Sequence, residues 1–541
     1  MNRFFLLIPA LITLLIVPTT VNGQCCDVPD GNPYADDIIP WNGIDIIDQT
    51  ISVNGTLLVD GDMMIVNSTV IMSGKGLVLN TSSTLTVTGS VITSGSPEHG
   101  YYLDLSGSTY LEDVTLDGCI DEENGYFGIY MEGAELQALG LEMNRSGMIR
   151  LDGGSMEIEG STITGVVSNL GDMKIKDTVV DRTGITQYGK GELHLDDVLI
   201  SSNISFSQTA GISVIDDVDL HIEGLVMNGT FNAGIHSIES RLYLENSSME
   251  FTDGLFGISA SDSIIHRLEN ISIEGAGTGI ELVNCSVESV LKGNTVKGSF
   301  VGINVQGNNP FSMIDSMISG PSYGLTSNAP MTVNNITFVD NDVGLLIEDG
   351  SDVTVSGCRF ENFSQWAIED ETWTERYHSE NTYVPTETSL GLVAWWGWLE
   401  IDIIGPGRIP VSGAEVVLES SLGSRFSVQA TNVGAIWGYE GTDGDIGAVD
   451  YKIEAKWGTA RKDMDFVPEK GRVVEVELPL ADIKINDVKY ENGKAIITVL
   501  SDRSDARVFG QQLEARLLLI PHPGIDPSRI ETAGAQGQET A

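Results

Sequence analysis

One short pattern returns through most of the chain and limits what it can become. An apolar residue is followed two positions later by Gly, Asn or Asp, and three positions after that by another apolar residue. The turn position is held by Asn67, Gly89, Asp113, Gly140, Gly160, Asp177, Asp197, Gly224, Asn246, Asn270, Gly293, Asp315, Asn335 and Gly357. Around Asp197 the apolar partners are Leu195 and Ile200; around Asn246 they are Leu244 and Met249. Gly, Asn and Asp share a tolerance for left-handed backbone angles. Each unit therefore sets a bend between two short strands. The strands alternate, as in Leu193-His194-Leu195-Asp196, so every second residue points inward. A second marker, Gly followed by Ile or Leu, opens a further strand at Gly211-Ile212, Gly234-Ile235, Gly257-Ile258, Gly279-Ile280, Gly302-Ile303, Gly324-Leu325 and Gly344-Leu345.

A unit of about 20–24 residues cannot bury its apolar face alone, whereas stacked units share one continuous core. The Leu-x-x-Leu-x-Leu ladder of leucine-rich repeats is missing. The turn pattern and the Gly-Ile strand starts resemble the right-handed parallel β-helix, or pectin-lyase-like, superfamily over residues 51–370. The resemblance implies an all-β chain with a right-handed parallel β-helix of about fourteen coils. Residues 24–50 would then cap the first coil, and 371–390 would form a linker or C-terminal cap.

Beyond this the period becomes ordinary strand alternation. Val411 to Leu418, Tyr451 to Ala455 and Val473 to Leu478 make residues 391–480 resemble a carboxypeptidase-regulatory-like β-sandwich, with Thr442-Asp443-Gly444 keeping part of its turn. Residues 481–541 open on a strand at Ile483 that resembles the start of an Ig-like module, too short to close and ending in a polar tail.

Asp and Glu number 77 against 29 Lys and Arg, a formal net charge of −48. Such a chain is repelled by nucleic acid and anionic lipid. Residues 1–23, with Arg3 before the apolar run Phe4 to Val17, read as a secretory signal, which implies a secreted or cell-surface protein. No later apolar run is long enough to span a membrane. Eleven Asn-x-Ser/Thr sequons, at Asn54, Asn67, Asn80, Asn144, Asn203, Asn228, Asn246, Asn270, Asn284, Asn335 and Asn362, are acceptor motifs if the chain is exported, and are also what turn-rich β sequences contain. The cysteines, Cys25, Cys26, Cys119, Cys285 and Cys358, are too few for a disulfide scaffold; one of the first two paired with Cys119 would pin the N-terminal end.

The outward columns carry the candidate chemistry. Three residues before the turn, successive units present Glu157, Lys174, His194, His221, Tyr243 and Arg267; one residue before it they present Glu159, Lys176, Asp196, Glu223, Glu245 and Glu269. Two units are longer than the rest, and their extra residues, Asp121 to Asn124 and Ser202 to Gln208, would wall a cleft over the coils between them. Asp196, Glu223 and Glu245, one coil apart at about 4.8 Å, form an oxygen-only set suited to Ca²⁺. Carboxylates one coil apart match the spacing of a retaining glycosidase, and two coils apart roughly that of an inverting one. A lyase would need a base, for which Lys174, His194, His221 or Arg267 are the candidates. Trp395, Trp396 and Trp398 share one strand and would either stack on sugar rings or fill the sandwich core. A solenoid exterior is polar in any case, and the Asn-Thr-Asp, Asp-Asp and Gly-His-Asp set of the superfamily's polygalacturonases is absent. The sequence therefore favours a non-catalytic protein that binds extracellular polysaccharide or an envelope component. The alternative is a polysaccharide lyase or glycoside hydrolase acting on acidic glycans through the 157–269 stripe.

Overall fold

The computed structural model describes residues 38–501, apart from 42–44, 54, 96–99, 122–126, 203–209, 299, 321, 349–351, 372–379, 406–407, 412, 424, 429–431, 444, 458–459, 469–472, 480–482 and 492–493. Residues 1–23, expected to be a signal, Cys25, Cys26, the sequons at Asn54 and Asn203, and the chain after 501 lie outside the described residues. So does most of the two insertions, 121–124 and 202–208, that would wall a cleft. The chain forms two compact units, residues 1–299 and 300–541.

The first unit is a parallel β-solenoid. A typical coil contributes three strands, two of them fused in places, as in Phe127–Leu139 and Ser248–Ser261, and they pair in parallel with their counterparts one coil away. Gly191–Asp196, Leu199–Ser202 and Ala210–Ile215 pair with Val218–Glu223, Val226–Gly229 and Ala233–Ile238. Strict register puts like on like: Ile158, Ile175, Leu195, Ile222, Leu244 and Leu268 are successive partners in one inner row, all buried. All fourteen turn residues have positive φ, from 47° at Asn67 to 70° at Gly224. The left-handed residue carries the chain from one strand plane into the next, which is why only Gly, Asn and Asp occupy it.

The bend frees the backbone N–H after it, and small buried hydroxyls answer it. Ser247 Oγ accepts from the Leu225 N–H of the previous coil at 3.2 Å and donates to the carbonyl of Glu245 at 2.7 Å. Ser90 and Ser161 do the same for Ser68 and Leu141. A buried polar group that both donates and accepts costs little.

The solenoid begins earlier than the expected cap. Ile46, Asp48 and Ile51 obey the same spacing, and Asp48 has φ 52°. Ile38–Pro40, Ile46–Ile47 and Thr50–Val53 pair with the three strands of the next coil, so this part of the 24–50 segment is itself a coil. Cys119 is a free, fully buried thiol whose Sγ lies 3.2 Å from the Gly128 carbonyl; its expected partners, Cys25 and Cys26, lie outside the described residues.

The second unit holds coils of the same kind. Thr382–Val384 pairs in parallel with Arg359–Glu361, and Tyr383 extends a stack of inner rings, Phe338 on Phe360 and Phe360 on Tyr383. Thr382–Val384, in the segment expected to be a linker or C-terminal cap, thus adds a further parallel rung. The strand Gly391–Gly405 then runs from solenoid to sandwich. It pairs in parallel with Trp366–Asp370, antiparallel with Asn432–Glu440 and in parallel with Val473–Glu477. A four-stranded sheet, ordered Arg425–Val428, Glu415–Ser420, Tyr451–Trp457, Ala460–Phe466, packs on it. Between them lie Leu399, Ile401, Trp437 and Val476 from one sheet and Val416, Leu418, Tyr451 and Ile453 from the other. The described part of 481–541 is a hairpin, Ile483–Glu491 with Lys494–Ser501.

Candidate functional site

On the outer face of the first unit, the strands carrying Glu157, Lys174, His194, His221 and Tyr243 keep register, so these residues form one outward row. The second row, Glu159, Lys176, Asp196, Glu223, Glu245 and Glu269, is likewise in register. On the other side of the first row stand Glu192, Asp219 and Arg241. The face is therefore a central row between two largely acidic ones.

The central row is a stack of flat rings. His194 lies on His221 at 4.6 Å between centroids and 6° between planes, and His221 on Tyr243 at 4.2 Å and 11°. Coil spacing sets this distance: side chains on neighbouring parallel strands stand about 4.8 Å apart, close to ring contact. The next ring is not the one expected. The register slips between Leu242 and Tyr243, and Arg267 becomes the backbone partner of Tyr243. The extra residue, His266, stacks on Tyr243 at 4.4 Å and 11°. The signal for it is the spacing Ile265-His266-Arg267-Leu268, one residue longer than Leu242-Tyr243-Leu244.

Charges are assigned locally. Arg267 is displaced from the ring row and instead spans Glu245 and, at 3.1 Å, Glu269. Both contacts hold its guanidinium charged, Glu245 the more strongly. Lys174 reaches Glu157 at 2.7 Å, and that hydrogen bond pushes its pKa above the ordinary lysine value. His194 Nε2 lies 3.2 Å from Glu192, and His266 Nδ1 lies 2.8 Å from Glu288. Arg241 holds Asp217 and Asp219 at 2.6 and 2.7 Å. In the middle of the stack, burial first and the neighbouring His194 second push the pKa of His221 below the ordinary histidine value. Among the described residues, Asp196 and Glu223 have no ion-pair partner.

One expectation changes, and one pair of alternatives narrows. Asp196, Glu223 and Glu245 stand in file, one per coil, with Glu245 bound by Arg267, and among the described residues no three His, Cys, Asp or Glu side chains converge as metal ligands. The donor set does not fit Ca²⁺, which needs oxygens gathered around one point. In the second unit, Trp396 is only 6% exposed and has no free ring face for a sugar; Trp395 is half-buried. The Trp398 side chain lies outside the described residues.

Coil, turn and stacking together define the class: a right-handed parallel β-helix protein. Residues 256–382 match the family described as right handed beta helix region. No curated protein matches the sequence. Among solved structures, the chain is similar to a tailspike protein double mutant of E. coli bacteriophage HK620 in complex with pentasaccharide, at 10% identity and TM-score 0.27, over 76% of this chain and 85% of that one. It is also similar to a double mutant of the periplasmic alginate epimerase AlgG, at 10% identity and TM-score 0.18, over 64% of this chain and 75% of that one. Among the described residues, no helix is long and apolar enough to cross a membrane.

Proposed function

We propose that the chain is a secreted or cell-surface protein that binds extracellular polysaccharide or an envelope glycan along the ring stack of the first unit, without cleaving it. The observation that carries this reading is the unbroken stack His194, His221, Tyr243 and His266 between two charged rows. Rings stacked face to face turn their edges outward, so the row offers imidazole nitrogens and a phenol hydroxyl at the coil spacing of about 4.8 Å. That spacing is comparable to the length of one pyranose residue. A polymer laid along the coils would meet a similar set of donors and acceptors at each sugar, and the carboxylates on either side would accept from its hydroxyls.

The cationic groups of the stripe support binding over catalysis. Lys174 and Arg267 are held protonated by Glu157 and Glu245, so neither serves as a base near neutral pH. One observation favours the second reading, a lyase or glycosidase: His221 is held toward its neutral form and has Glu223 two residues along its own strand. A neutral imidazole is the form that accepts a proton.

The test is a panel of neutral and acidic polysaccharides, scored for retention of the protein and for cleavage. The binding reading expects retention that falls at least tenfold in the double variant His221→Ala/Tyr243→Ala, with no new reducing ends. New reducing ends or unsaturated-uronate absorbance, lost in His221→Ala, would replace it with the enzymatic reading. Absence of retention on every polysaccharide would remove the glycan from the account altogether.

A further inference from the structure

Left-handed turns in this chain are built from Asn as well as Asp, and the two differ in the residue found two positions later. Six Asn residues have positive φ: Asn67, Asn246, Asn270, Asn284, Asn335 and Asn362. Each has a hydroxyl residue at that second position: Thr69, Ser248, Ser272, Ser286, Thr337 and Ser364. Nine Asp residues also have positive φ, and only Asp48 and Asp113 have such a neighbour, Thr50 and Thr115. The others have residues such as Val179, Leu199, Ile264 and Met317 there.

The backbone does not require this difference. Asn and Asp enter the left-handed region for the same reason, a short polar side chain that bonds locally. A hydroxyl two residues on would be needed equally by both, or by neither. Nor do the Asn side chains use it: among the described residues, none of the six hydroxyls is hydrogen-bonded to its own Asn. The coupling is between Asn and hydroxyl as such, which is the acceptor motif for N-linked glycan.

Geometry leaves room for the modification. All six Asn residues are exposed. Where their amides are engaged, they use one hydrogen only. Asn270 Nδ2 donates to Asn246 Oδ1 at 3.1 Å, Asn335 Nδ2 to Asp315 Oδ1 at 2.7 Å, and Asn362 Nδ2 to Asp340 Oδ1 at 3.0 Å. An amide nitrogen carries two hydrogens. One can tie the turn to the coil before it while the other is replaced by a sugar, so the ladder and the glycan are compatible on the same nitrogen.

We propose that Asn67, Asn246, Asn270, Asn284, Asn335 and Asn362 are N-glycosylation sites, filled from a lipid-pyrophosphate-linked oligosaccharide by an oligosaccharyltransferase during export. In the transfer, a bond forms between Asn Nδ2 and C1 of the first sugar. The C1–O bond to pyrophosphate breaks, the lipid pyrophosphate leaves with its electron pair, and the amide proton passes to a base of the transferase. The inference goes beyond the proposed ligand site, since it concerns sugar attached to the turns rather than sugar held by the ring stack.

Protein purified from its native source and mapped by peptide mass spectrometry tests it. Peptides spanning Asn246 and Asn270 carry a common oligosaccharide mass. Ser248→Ala removes that mass from Asn246 alone, without touching the turn residue, and Asp113→Asn, which places Asn before Val114-Thr115, gains it at position 113. Recovery of the six asparagines as unmodified peptides overturns the proposal, as does a mass on Asn246 that survives Ser248→Ala.

Discussion

Tyr243 stacks on His266 although the backbone pairs it with Arg267. The two partners are consecutive residues, one more than the preceding coil has at this place. They deliver a ring to the stack and an arginine to the acidic row beside it, where Arg267 meets Glu245 and Glu269. Elsewhere on this face one residue per coil serves each row. Here the bulge lets one coil add an arginine beside its ring, which is how β-bulges re-aim side chains.

The stack makes His266 a test of that geometry. His266→Ala removes the ring contact with Tyr243 and the pairing with Glu288 while leaving the extra residue in place. A ring pair is worth about 0.5–1.5 kcal/mol beyond its buried area. Chemical denaturation of the variant is expected to show a loss of that order, with His266→Phe retaining most of it. Equal stability of His266→Ala and the parent would mean that the rings are neighbours by spacing alone.

Stability should also depend on pH through His221. Burial, with His194 alongside, lowers its folded pKa below the unfolded value of about 6.5. Between those two values the unfolded chain binds the proton more readily, so stability rises with pH. The contribution is fully present above about pH 6.5 and is lost as pH falls through the folded pKa. His236, whose pKa is lowered by burial, adds a slope of the same sign. Glu192 and Asp219 oppose it at His221 without reversing it. Thermal melts from about pH 7.5 down to about pH 5 are expected to fall less steeply in His221→Gln than in the parent. Parallel curves would show that the stack does not disfavour the imidazolium.

How much of this is legible in the sequence depends on the physics of each element. Turns are legible because a left-handed angle admits so few residue types. Asp48 shows the rule reaching one coil further than residue 51, since Ile46 and Ile51 flank it at the same spacing. The rows Glu157 to Tyr243 and Glu159 to Glu269 are legible because strict register turns sequence spacing into neighbourhood. The bulge is not. Ile264, Ile265 and Leu268 offer two ways to continue the inner row, and the structure takes the one in which a bulge buries both Ile265 and Leu268. The pairing of Glu245 with Arg267 in place of a metal ion depends on side-chain reach, which a column of letters does not record.

Trp396 illustrates the same boundary. Alternation says that Trp395 and Trp396 face opposite ways, but not which side is covered. Trp396 is the buried one. Trp396→Ala is therefore expected to act as a core truncation, costing about 3–5 kcal/mol in urea unfolding. Trp395→Ala, at a half-buried site, should cost clearly less. A surface-like effect below about 1 kcal/mol for Trp396→Ala would contradict its place in the second unit.

The turn itself gives the most direct test of the repeat. Asn246 sits at φ 50°, and its Oδ1 accepts from Asn270 of the following coil. Asn246→Val puts a β-branched residue where the left-handed region is most costly, and it deletes that acceptor. The expected loss is about 1 kcal/mol or more. Asn246→Asp keeps both the local angle and an oxygen for Asn270, so it should stay close to the parent. Asn246→Gly keeps the angle but not the oxygen and should fall between them. That ordering separates backbone strain from the lost hydrogen bond; if valine and aspartate gave the same unfolding midpoint, the residue at the bend would not be what shapes the coil.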